Sequence, residues 1–159
     1  MTIKEFMQKT GVSKKVYVEN WIREGLIPGV LKDEKTGELI FPSSARRPYK
    51  PRFKSDANAS TVRASILNAC LKREYISSKI YSMSEGEFLS FVNDLKVAGL
   101  IQERVEDGIT YYDSTAKSDI YRKESFNKIK NFVIDCIGVV SEKAVYGATK
   151  ASLETFIVA

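Results

Sequence analysis

The residues that most often carry reactions are sparse in this chain, which has two cysteines, Cys70 and Cys136, and no histidine. A zinc site needs about four clustered ligands, commonly at Cys-x-x-Cys or His spacings, and two isolated cysteines do not supply them. Both cysteines lie in apolar runs, "ILNACL" and "FVIDCIGVV", which reads them as small core residues rather than as a disulfide or a nucleophile. Carboxylates alone can do acid–base work, but no Asp or Glu pair sits in apolar surroundings that would tune one member against the other. The chain is therefore expected to bind rather than to catalyse, without a cofactor or a metal.

The chemistry that remains is charge. The net charge is +5, and it is uneven: residues 1–54 carry 12 Lys/Arg against 6 Asp/Glu, residues 55–119 carry 7 against 10, and residues 120–159 carry 6 against 4. A basic first third points to a polyanion, and the acidic middle points to a solvated or protein-facing module. At 159 residues the chain can bury one ordinary core or two small ones. No apolar run approaches the roughly 18 residues of a membrane span, and the polar start "MTIKEFMQKT" lacks a signal peptide's apolar stretch, so the expected location is the cytoplasm, with no membrane partner.

Several elements must position that basic third. Ile3, Phe6 and Met7 fall at i, i+3 and i+4, a helical stripe that turns at Gly11 and continues through Val12. Ser13 offers a hydroxyl as N-cap to a second helix, on which Tyr17, Val18, Trp21 and Ile22 share one arc. The face opposite then holds Lys15, Val16, Glu19, Asn20 and Arg23, with Ser13 and Lys14 at its mouth. Such a mixture suits a major groove, since Asn pairs with adenine, Arg with guanine, and a valine meets a thymine methyl. The same residues also suit an ordinary solvated helix face. Gly25 stops the helix, Pro28-Gly29 turns the chain, and "VLKDEKTGELIFP" reads as strand, turn, strand, carrying Lys32 and Lys35.

Taken together, "IKEFMQKTGVSKK", "WIREGLIPG" and the strand-turn-strand ending "ELIFP" resemble the winged helix-turn-helix domain of the MerR type and the related excisionase domains of mobile elements. The resemblance covers residues 2 to about 42. It implies that the second helix enters the major groove of double-stranded DNA and that the hairpin wing touches the flanking backbone. MerR regulators continue into one long dimerising coiled coil, whereas here a proline-containing linker and a globular module follow, so no small-molecule effector is implied.

That linker, residues 44–59, interleaves Arg46, Arg47, Lys50 and Arg52 with Pro48, Tyr49, Pro51 and Phe53. Extended basic arms of this kind follow a phosphate backbone or enter a minor groove, and DNA contact is the expected role. The alternative is a solvated linker whose Tyr49 and Phe53 pack onto a domain.

From Ser60 the helical pattern restarts. Val62, Ile66, Leu67, Cys70 and Leu71 predict an amphipathic helix, "ISSKIYSM" a short one, and Ser84 caps a third with Phe88, Phe91, Val92 and Leu95 inward. "LIQERVEDGITYYDST" then alternates around an Asp-Gly turn, the strongest short hairpin signal. Glu85, Glu87 and Asp94 on the third helix would repel phosphates, so this second winged-helix-like module is expected to serve assembly or partner binding. Phe126, Ile129, Val133 and Ile137 form one stripe that either closes this module's core or meets a twin, and pairing into a homodimer is expected. Ser141–Ala159 reads as a poorer helix with Gly147 inside it.

The expected fold is mainly α with small β-hairpins: a winged helix-turn-helix over residues 1–43, the basic linker over 44–59, and the winged-helix-like module over 60–159. The expected function is sequence-specific binding of double-stranded DNA as a transcriptional regulator. The alternatives are an excisionase-like architectural factor and a protein-interaction adaptor.

Overall fold

A computed structural model describes residues 1–52 and 57–138. Helices dominate, with two small antiparallel two-stranded sheets among the described residues. Helix α1 spans Ile3–Thr10 and opens with a capping box, in which the Glu5 N–H donates to Thr2 Oγ1 and the Thr2 N–H to Glu5 Oε1, each at 3.2 Å. It closes at Gly11, whose φ of 75° is the left-handed conformation that suits glycine. Helix α2 spans Lys15–Arg23. Its N-cap is Lys14 without a side-chain cap, not Ser13 as the sequence suggests. Strands β1 (Leu31–Lys32) and β2 (Leu39–Ile40) pair with Leu31 opposite Ile40. The Asp33 carboxylate accepts the N–H groups of Lys35 and Thr36 to shape the turn between them. A small core of Phe6, Val12, Val18, Ile27, Phe41 and Ala45 holds these elements, with Phe6 stacked on Phe41 at 4.8 Å.

The larger core is built round helix α3, Ala59–Leu71, whose N-cap Asn58 accepts the Thr61 N–H. The sequence pattern predicts an amphipathic helix here, yet α3 is buried on almost every side, packed by α4 (Glu85–Val97), α6 (Phe126–Ile137) and the second hairpin. A chain of small and apolar residues, "ASTVRASILNACL", permits that enclosure because neighbours can approach from all directions. Its one long charged residue, Arg63, is buried and reaches Asp94 of α4 at 2.6 Å. The segment "ISSKIYSM" forms turns rather than the expected short helix. Arg73, just before it, and Ser82, within it, adopt φ of 55° and 52°, which breaks helical geometry there. The expected Ser84 cap is present, and Phe88, Phe91, Val92 and Leu95 are all buried.

Strands β3 (Ile101–Glu106) and β4 (Ile109–Ser114) meet at Asp107-Gly108, both at positive φ (53° and 74°), as a two-residue hairpin turn requires. The short α5 (Ala116–Asp119) leads into α6. Ile129 and Val133 are buried against α3, and Ile137 packs at the edge of the same core. This corrects the pairing expectation for the stripe: α6 closes the module's own core, and of the four stripe residues only Phe126 is exposed. The segment Ser141–Ala159 lies outside the described residues.

The stretch following the first module differs most from a solvated linker. Residues 43–52 form a strap, of which residues 43–49 are clasped from both sides. Lys9 Nζ donates to the carbonyls of Ser43 and Ala45 at 2.7 and 3.0 Å. Ser44 shares a hydrogen bond with the Tyr111 hydroxyl at 3.0 Å, and its N–H donates to the Asp107 carboxylate. Arg46 meets Asp113 at 2.7 Å and lies over the Tyr111 ring. The Tyr49 N–H donates to Tyr75 O and the Tyr75 N–H to Arg47 O, both at 2.9 Å, so the strap pairs in parallel with the chain after α3.

Candidate nucleic-acid interface

Val18 is fully buried and sets the orientation of α2; Trp21 and Ile22 pack beside it at the margin of the small core. At 3.6 residues per turn the opposite surface centres on Val16, Asn20 and Arg23, with Glu19 to one side and Tyr17 to the other. Lys14, Lys15, Val16, Glu19 and Arg23 are exposed, and Asn20 is partly so. Ser13 is exposed at the head of the helix. Tyr17 departs from the inward arc read in the sequence: it is 49% exposed, with Lys14 Nζ 5.8 Å from its ring centre. Six core side chains cover a narrower arc than the periodicity suggests, and a residue 100° from Val18 falls outside it. A tyrosine on the outer surface adds a hydroxyl donor suited to phosphate.

The outer face is partly ordered from within, since Arg23 Nη1 donates to Asn20 Oδ1 at 3.1 Å. Reading adenine takes both the amide oxygen and the amide nitrogen of an asparagine; the oxygen has two lone pairs, so Arg23 can steady Asn20 through one while the other meets the base. Lys32 and Lys35 are exposed on the hairpin. Among the described residues, Lys14, Lys15, Arg23, Lys32, Lys35, Lys50 and Arg52 form no salt bridge, leaving their charge to solvent or a partner.

The four strap cations divide. Arg46 turns inward: its side chain is 10% exposed and held by Asp113, so it joins the two modules and offers no surface to a duplex. Arg47 lies 5.8 Å above the Trp21 ring and 3.8 Å from Glu74. Lys50 and Arg52 are exposed. Two of the three acidic residues of α4 also have internal partners: Asp94 holds Arg63, and Glu85 accepts from the Ser78 hydroxyl at 2.9 Å.

Burial pushes the Cys70 thiol up, in keeping with a core residue. The Ser44 hydroxyl and N–H hold the Asp107 carboxyl below its ordinary range at the contact between the modules. Among the described residues no group of His, Cys, Asp and Glu could hold a metal, and no helix is long and apolar enough to cross a membrane. No protein-family model matches the chain, and no curated protein or solved structure matches it significantly.

Proposed function

We propose that the protein is a sequence-specific double-stranded DNA-binding protein acting as a transcriptional regulator, without catalysis, through an N-terminal winged helix-turn-helix. The observation that carries this reading is the uncovered face of α2, where Val16, Asn20 and Arg23 stand between Lys14 and Lys15 at one end and the basic strap at the other. In this reading Asn and Arg supply bidentate base contacts, Lys14 and Lys15 supply phosphate contacts, and the exposed Lys32 and Lys35 of the β1–β2 wing supply further ones. A single winged domain covers few base pairs, so binding as a homodimer on paired half-sites belongs to the same reading. With Ile129 and Val133 enclosed, the dimer would form through another surface.

Selection of bound duplexes from a random pool tests the proposal. A defined motif, with affinity falling steeply as salt rises, is the expected result. Binding that ignores salt, or capture of no duplex, would favour the adaptor reading and overturn this one.

One observation favours the architectural alternative. Leu31 and Ile40 stand opposite each other on the wing and are 68% and 47% exposed. Apolar side chains presented by a ribbon can wedge between base steps and kink the duplex. A gel assay with circularly permuted sites separates the two: position-dependent mobility supports bending, and uniform mobility supports plain regulation.

A further inference from the structure

The first module, the strap and the second module enclose a broad cleft of ≈ 1160 Å³. Trp21 of α2 and Glu24 just past its end line it, and so do residues of α3 and the turns after it. Five cations line it: Arg47, Lys50 and Arg52 from the strap, and Lys72 and Lys79 from the second module. The carboxylates facing them are Glu24, Glu74 and Glu124. Glu124 is engaged by Lys128 at 3.1 Å and Glu74 by Arg47 at 3.8 Å. Lys50, Arg52, Lys72 and Lys79 thus form no salt bridge among the described residues, against Glu24 as the remaining unpaired carboxylate.

Two of the three aromatic rings that line the cleft, Trp21 and Tyr49, are capped by these cations, and Phe126 is not. Arg47 lies 5.8 Å over Trp21 and Lys72 lies 6.0 Å over Tyr49, whose hydroxyl accepts from Asn68 Nδ2 at 3.0 Å. Rings covered in this way hold cations in place and offer less free face for stacking bases. The volume exceeds the roughly 300–1,000 Å³ of ordinary small-molecule pockets, and the cleft is partly open to solvent. An extended polyanion fits such a groove better than a compact ligand does.

We propose that this cleft carries the phosphate backbone of duplex DNA beyond the bases facing α2, so that Lys72 and Lys79 of the second module and Lys50 and Arg52 of the strap lengthen the footprint. The inference rests on the DNA-binding reading above and gives the second module a part in it that its overall acidity conceals. Burial lifts the Glu74 carboxyl, and the nearby charges of Lys72, Arg47 and Arg52 act against that shift.

The test compares the full chain with its Lys79→Gln and Lys72→Gln/Lys79→Gln variants on two duplexes of the selected motif, one ending at the motif and one longer by about 10 base pairs on each side. On the longer duplex the slope of log K against log salt should fall by roughly 0.9 for each lysine removed, and on the shorter duplex it should not change. Circular dichroism confirms that the variants keep the fold. Wild-type slopes that are equal on both duplexes, variants that keep the wild-type slope on the longer one, or tighter binding of a single strand than of the duplex would each overturn the proposal while leaving α2 as the DNA reader. Absence of any duplex binding would overturn the DNA-binding reading and this inference with it.

Discussion

Arg23 and Asn20 are joined before any partner arrives, and that bond shapes what their removal should do. Asn20→Ala and Arg23→Ala should each weaken binding to the preferred duplex by about 1–3 kcal/mol while changing nonspecific binding much less. Because each side chain touches the other, the double variant should lose less than the sum of the single losses, and a double-mutant cycle by fluorescence anisotropy reads the difference. Strict additivity would show that the two act separately. Arg46 makes an opposite prediction. Its side chain is enclosed with Asp113, so Arg46→Ala should cost on the order of 3 kcal/mol in urea unfolding, the low end for breaking a buried pair. The low end applies because Arg104 Nε remains 3.4 Å from the same carboxylate. The variant's salt slope on DNA should stay close to wild type, since no phosphate contact is lost.

Tyr112 shows how one residue reports on its element. It stands on β4 against Phe88 of α4, and burial together with the Glu103 carboxylate pushes its hydroxyl up to about 12. A folded-state value above the ordinary 10 means that the folded chain holds this proton more tightly. The associated stability is complete below pH 10 and is lost as pH rises toward about 12. Tyrosinate absorbance followed alongside circular dichroism should show late ionisation of this residue coinciding with loss of the hairpin. Tyr112→Phe should flatten the stability profile in that window, and an unchanged profile would remove Tyr112 as its source.

At the same scale, the elements divide by how local their causes are. The capped helices α1 and α4 and the Asp-Gly hairpin were legible because cap, stripe and turn residues lie within a few positions of one another. Helix α3 was legible as a helix but not as an enclosed one, since Arg63 interrupts its pattern and its partner Asp94 is distant in sequence. The turns at "ISSKIYSM" follow from left-handed residues and from the strap's pairing with Tyr75, neither of which local periodicity records. On α2 the uncovered surface was readable apart from Tyr17. The inward turn of Arg46 was not readable, because its partner is 67 positions away.

At the scale of the whole molecule, the two cores are joined by close contacts. A Cβ on Gly29 would lie 3.1 Å from Pro42 Cγ and 3.2 Å from Ile109 Cδ1, where the first module meets the tip of the second hairpin. Its φ of 80° adds strain to any side chain placed there. Wild-type protein should therefore melt in one calorimetric transition with matching van't Hoff and calorimetric enthalpies. Gly29→Val should separate it into two, and a single transition in the variant would mean that the joint lies elsewhere along the strap.

The strap also sets a clock during synthesis. Its clasp by Lys9 can form first, because residues 43 and 45 follow Lys9 by 34 and 36 positions. The Arg46 guanidinium, however, must wait for Asp113, 67 residues later. At about 5–20 residues per second that is roughly 3 to 13 s in which a finished first module carries an unpaired basic arm out of the ribosome. During that interval ribosomal RNA is the nearest polyanion, and a nascent chain arrested before Asp113 should crosslink to it through residues 46–52 more strongly than one arrested after Ser114 has emerged.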